Sequence, residues 1–242
     1  MSPTADQREA IHQHSGWLIP LGFGVVILVL CGLILGWYLR PYPKGRAPSG
    51  GSQIVHLSVH GVRLGIPANY ITTAHAQAGG AQDSVALIAL FPSFRGYSRD
   101  EASLFAGNAP DSPVIRLTLR GDNSGLDARG RLDRVYRPYI TDPAGTGGLF
   151  GLTRYSFAAG SGYDGNELFA GNDSEGLELF LCEKPGPDIP SPNCLALDRP
   201  LGQKATGRKA SLSWRFKRAY LSRWREVTSG VYQLIGRFER SG

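Results

Sequence analysis

Trp17–Leu39 reads WLIPLGFGVVILVLCGLILGWYL, an uncharged run of 23 residues interrupted only by Pro20 and four glycines. As a helix rising ~1.5 Å per residue it would reach roughly 34 Å, more than the about 30 Å of a bilayer's hydrocarbon core. The run therefore predicts a transmembrane helix, with Trp17 anchoring one interface and Trp37 and Tyr38 the other. Everything else follows from its position. Residues 1–16 form a short polar tail, 17–39 the span, 40–53 a Pro/Gly-rich linker, and 54–242 one exported domain.

Composition narrows what that domain is. Glycine (32) and proline (16) are frequent, yet charged residues make up only 19%, and short alternating apolar runs recur, which favours a turn-rich, sheet-rich fold over disorder. The net charge of +6 is unevenly placed: Arg199–Gly242 holds 11 Lys and Arg against 2 Asp and Glu, leaving the first 198 residues acidic overall. Basicity is thus a property of the C-terminal segment.

The three cysteines differ in setting. Cys31 lies in mid-span, preceded by Leu30 and followed by more apolar residues, so it reads as a packed or lipid-facing side chain and not as a lipidation site. Cys182 and Cys194 bracket EKPGPDIPSPN, a loop stiffened by four prolines between two apolar runs, and this arrangement predicts a disulfide. The pair also bears on topology. Arg8 before the span, against Arg40, Lys44 and Arg46 after it, would by charge alone put the domain in the cytoplasm. A structural disulfide requires an oxidising compartment, so we expect the N-terminus in the cytoplasm and the domain in the periplasm or outside the cell, with the span retained in the inner or plasma membrane. Gly32 and Gly36 form a G-x-x-x-G through which two spans could associate as a homodimer.

Along the domain, IVHLSVHGVRLGIP alternates in two phases that change at His60-Gly61, predicting a hairpin ended by Pro67. His56 and His60 lack a nearby carboxylate or cysteine and are expected outside the core without a metal. SVALIALFPSF is apolar on both faces and predicts a central strand. Ser98 and Glu101 have capping-box spacing before a short helix through Phe105. In PVIRLTLRGD, Ile115, Leu117 and Leu119 should face inward, and Arg116, Thr118 and Arg120 outward. Asn123–Tyr136 reads as an exposed loop or marginal helix. LFAGN occurs twice, at Leu104–Asn108 and Leu168–Asn172, suggesting a shared local role before an inner strand. The Gly-rich stretch before LTRYSF has neither a lysine nor a following helical period, so it reads as a turn and not a phosphate loop.

The chain closes with ASLSWRFKR, a half-buried strand with Leu212, Trp214 and Phe216 on one face and Arg215 and Lys217 on the other. Leu221, Trp224, Val227, Val231, Leu234, Ile235 and Phe238 then recur at helical spacing. These define an α+β domain whose amphipathic C-terminal helix packs on the sheet.

No nucleophile–base motif, zinc spacing or regular carboxylate cluster appears, so neither enzyme activity nor a cofactor is expected. The composition suits a membrane-anchored protein-interaction module of the cell envelope, an accessory subunit or an immunity or inhibitor protein. The alternative is a sensor of anionic lipid or polymer, and a hydrolase fits less well. Lys204, Arg208, Lys209, Arg215, Lys217 and Arg218 form the candidate binding surface. The expected partners are the bilayer, through residues 17–39, and an envelope protein; nucleic acid is not expected. The topology is tested by fusions at Gly242: alkaline phosphatase should be active and a fluorescent protein dark, and bright fluorescence without phosphatase activity would reverse the assignment.

Overall fold

The computed structural model describes residues 18–38, 50–122, 125–174, 176–201 and 210–242, in two units that divide between Lys44 and Gly45. The polar tail and most of the linker lie outside the described residues.

The first unit is helix α1 (Leu18–Tyr38). Its side chains are described from Leu21 to Trp37, all exposed, and that stretch spans ~25 Å at ~1.5 Å per residue. Among the described residues, no helix is long and apolar enough to cross a membrane. Gly32 and Gly36 stand one turn apart on α1, with open space where a side chain would be.

The second unit opens with β1 (Ile54–Val59) and β2 (Val62–Pro67), an antiparallel hairpin. His60 (φ 46°) and Gly61 (φ 86°) form its two-residue turn, both in the left-handed region that a tight hairpin of this twist requires. β3 (Gly80–Gln82) joins β1 in parallel, completing a three-stranded sheet in the order β2-β1-β3.

The remaining elements build a larger sheet. They are β4 (Ser84–Leu90), α2 (Ala102–Ala106), β5 (Val114–Gly121) and α3 (Ala128–Arg131), the last continued by one π turn and one 3₁₀ turn to Tyr139. Then come β6 (Thr146–Leu149), β7 (Leu152–Ser156), β8 (Asn166–Asp173), β9 (Gly176–Glu183), β10 (Asn193–Leu201), β11 (Ala210–Lys217) and α4 (Trp224–Arg240). The eight strands pair antiparallel in the order β4-β5-β11-β10-β9-β8-β7-β6. Between Ala196 and Arg199 the β10–β11 register shifts: Ala196 faces Trp214, whereas Arg199, three residues on, faces Leu212, only two residues back. This is a β-bulge of one extra residue on β10.

One face of the large sheet is covered by α4 and the small sheet together. Trp224, Val227, Val231, Leu234, Ile235 and Phe238 of α4 share one core with Leu57, Leu64 and Ile66 of the hairpin and with Leu117, Phe180, Trp214 and Phe216 of the large sheet. The ring of Phe180 meets Phe216 and Trp224 edge-on, at 5.8 and 5.6 Å. Gly230 permits the helix to come this close, because a Cβ there would lie 2.0 Å from Cε2 of Phe94. The predicted inward faces of β5, β11 and α4 are thus the buried ones. Cys182 and Cys194 sit directly opposite each other on β9 and β10 and form the disulfide. Closing a loop of this size stabilises the fold by about 3 kcal/mol through the unfolded chain.

Four expectations need correction. SVALIAL, as β4, is an edge strand and not a central one. It is apolar on both faces because Val85, Leu87 and Ala89 join the main core while Ile88 and Leu90 pack with Phe105 and Val114 on the other side. Its open edge is blunted by residues 71–73: the Thr72 amide donates to the Ala86 carbonyl (2.9 Å), and the Ala86 amide donates to Oγ1 of Thr73 (2.8 Å). The capping box does not form. Helix α2 starts at Ala102, the Ser98 hydroxyl donates to the Glu101 carboxylate (3.1 Å), and that carboxylate pairs with Arg95 (2.5 Å) instead of capping the helix. The LFAGN copies share no structural role, since the first ends α2 and the second lies inside β8. The stretch 125–139 is less exposed than expected, because Leu132 and Tyr136 are buried against the sheet.

The tightness at Gly230 yields a prediction. Gly230→Ala should destabilise the domain by about 1–3 kcal/mol through overpacking, read as a lower denaturant midpoint, and an unchanged midpoint would show that Phe94 moves freely.

Candidate functional site

The face of the large sheet away from α4 is only partly covered. At one end Leu132, Tyr136 and Phe157 pack on Leu168, Ala170 and Leu179. At the other, Phe105 closes over Ile88, Leu90 and Val114. A groove of about 510 Å³ remains across β4, β5, β11 and β10. Strand alternation puts Arg116, Thr118 and Arg120 of β5 and Ser213 and Arg215 of β11 into its lining, and Arg131 and Tyr136 line it from the α3 segment. Among the described residues, four arginines line the groove and no carboxylate does.

The structure divides the basic residues singled out in the sequence. Arg215 is exposed and lines the groove. Lys217, expected outward, is buried at 5% exposure, because the strand end is closed over by two other segments: its Nζ donates to Oδ1 of Asn108 (2.7 Å) and to the Ser191 carbonyl (3.1 Å). Burial pulls its pKa below the ordinary lysine value, against the attraction of Glu183 and with the repulsion of Arg116. Arg218 is also engaged in the fold. It pairs with the Glu167 carboxylate, donates to the Glu183 carbonyl (2.9 Å), and places its guanidinium 5.2 Å from the Phe169 ring centroid. Lys204, Arg208 and Lys209 lie outside the described residues.

The missed members of the basic surface are Arg116, Arg120 and Arg131. The outward phase of Arg116 and Arg120 is readable from alternation in PVIRLTLRGD, but the pairing of Arg116 with Arg215 and of Arg120 with Ser211 depends on strand order. Arg131 lies in a stretch without a clear period.

A second polar cluster lies beneath α4. Glu178 of β9 is 3% exposed, with Oε1 2.7 Å from NH1 of Arg199 on β10. The Tyr232 hydroxyl of α4 donates to Glu178 and accepts from Arg199 (2.7 Å), whose guanidinium lies 4.3 Å from the Tyr232 ring centroid. Burial pushes the Glu178 carboxyl above the usual carboxylate range, outweighing the Tyr232 hydrogen bond and the Arg199 charge, which favour the ionised form. The cluster joins three elements, the arrangement of a clamp. Among the described residues, no group of three or more His, Cys, Asp or Glu side chains could hold a metal.

Compared by sequence, the chain matches no protein-family model and no curated protein. Compared by structure, it is similar to Smlt3025, an immunity protein of the Stenotrophomonas maltophilia type IV secretion system. The TM-score is 0.51 at 16% identity, over 80% of this chain and 97% of that one. The likeness is one of fold: a sheet-rich α+β domain with its C-terminal helix packed on the sheet.

The clamp makes stability depend on pH in a definite sense. A carboxyl whose pKa is raised by folding contributes stability that is fully present below its unfolded pKa and lost as pH rises through the folded one. Glu178→Gln should therefore flatten the loss of thermal stability on raising pH from below the ordinary carboxylate pKa, and an identical pH profile in the variant would exclude Glu178 as its source. At neutral pH, Tyr232→Phe, which leaves Glu178 and Arg199 without the shared hydroxyl, should cost about 1–3 kcal/mol.

Proposed function

We propose that the chain is a single-pass envelope protein whose C-terminal domain, on the outer side of the membrane, binds a protein partner as an immunity or inhibitor module. The observation that carries this reading is the likeness to Smlt3025, which spans nearly the whole of that immunity protein. The arginine-lined groove supports it by offering a concave surface whose charged side chains, among the described residues, are all of one sign. The Cys182–Cys194 disulfide supports export, since such bonds persist in oxidising compartments. The uncharged run Trp17–Leu39 supports an inner- or plasma-membrane anchor, and Gly32 and Gly36 give that anchor a face on which two copies could pair. On this reading the protein acts by occupying its partner and performs no catalysis.

Full-length protein extracted from its native membrane in mild detergent after crosslinking should co-purify with one protein at fixed stoichiometry. Retention of lipid or polymer alone would overturn the proposal in favour of a surface sensor.

A further inference from the structure

We infer that the groove on the outer face of the large sheet receives an acidic segment of the partner, with one carboxylate held jointly by Arg116 and Arg215. This rests on the reading of the domain as a protein-binding module and names the chemistry of what it binds.

The first ground is strand register. Arg116 of β5 and Arg215 of β11 are direct cross-strand partners, so their side chains rise from the same face about 5 Å apart at Cβ. Like charges set directly opposite each other destabilise a sheet. Neither guanidinium makes an ion pair or hydrogen bond among the described residues, so none of these offsets their repulsion. The neighbouring cross-strand pair, Thr118 with Ser213, adds two hydroxyls to the floor and no charge.

The second ground is where the domain's own carboxylates stand. Glu178 pairs with Arg199 beneath α4, and Glu167 with Arg218 and Arg154, whereas among the described residues no Asp or Glu lines the groove. Arg120 and Arg131, also in the lining, extend the positive field along and across β5. A guanidinium presents a planar fork that matches a carboxylate, and two forks side by side can grip both its oxygens.

The third ground is shape. The groove is sunk between the Tyr136 and Phe105 packing layers, so a flat bilayer surface would meet its rims before its floor. Single-stranded nucleic acid would need open aromatic faces for its bases, but the aromatic residues lining the groove, Trp214 and Tyr136, are 0% and 5% exposed. A protein segment carrying Asp or Glu needs neither a flat contact nor a stacking platform.

The test uses full-length protein in detergent and fluorescein-labelled hexaglutamate as the probe. Wild type should bind it with an affinity that falls steeply between about 50 mM and about 500 mM salt, as screening of exposed charges requires. Arg116→Gln/Arg215→Gln should bind at least about 10-fold more weakly while melting at the same temperature or higher, because the repulsion is gone. Arg116→Lys/Arg215→Lys, which keeps the charge without the forks, should fall between them. Equal binding by wild type and the Gln variant would overturn the assignment, as would a preference for phosphatidylglycerol vesicles or oligothymidylate over the peptide. In crosslinked membranes, a partner captured equally by wild type and the Gln variant would overturn the groove assignment and leave the protein-binding reading intact. A partner captured by neither would overturn that reading itself, with the peptide titration still deciding the groove.

Discussion

The contact on which the rest of the domain depends is the apolar stripe of α4, which fills the space between the large sheet and the β1–β2 hairpin. Neither sheet could otherwise bury its inner face: the hairpin is too small to cover eight strands, and α4 supplies Trp224, Val231, Leu234 and Phe238 to bridge the difference. Burying each such side chain contributes about 1.5–3 kcal/mol, so the stripe outweighs any single polar interaction in the molecule. The Glu178–Arg199–Tyr232 cluster acts beside it in another way. Its carboxylate is costly to bury, and what it adds is position, holding α4 at one rotation and height over β9 and β10.

Since α4 and the hairpin occupy one side, the opposite side of the sheet must be dealt with by what lies between the strands. The segments around Tyr136 and Phe105 cover its two ends, and the strip between them is where polar side chains must stand. The groove is therefore a consequence of incomplete covering, and its arginines occupy positions that could not have been apolar without exposing a patch to solvent. The excess positive charge near the end of the chain is likewise shared between interior and surface. Arg199, Lys217 and Arg218 are bound into the fold, and Arg215 is left for the exterior.

Much of this was legible in the sequence because alternation and helical spacing report which side of an element is wet. The hairpin at His60-Gly61, the inner face of β5, the Cys182–Cys194 pair and the buried stripe of α4 all follow from such local signals. Periodicity does not say which strands are neighbours. That is why SVALIAL reads as central when it is an edge strand whose second face meets α2, and why alternation does not connect Arg116 with Arg215, far away in the chain. Lys217 was misplaced for a related reason. Alternation assumes the strand continues into solvent, whereas Asn108 and Ser191 close over its last residue. The repeated LFAGN shows the limit of short identity, because the same five residues end a helix in one setting and pair within a sheet in the other.

The bulge in β10 has a consequence for how this protein could diverge. Side chains of a strand change sides with every residue, so the extra position between Ala196 and Arg199 sends Arg199 to the α4 side. Continued without the bulge, a strand of the same length would place the same arginine opposite Ser211, on the side that carries Arg116 and Arg215. The groove would gain a fifth arginine and Glu178 would lose its counterion in one event. Relaxing the bulge at constant length would thus exchange stability for binding charge, whereas deleting one residue between Ala196 and Arg199 would keep the arginine opposite Leu212, on the α4 side.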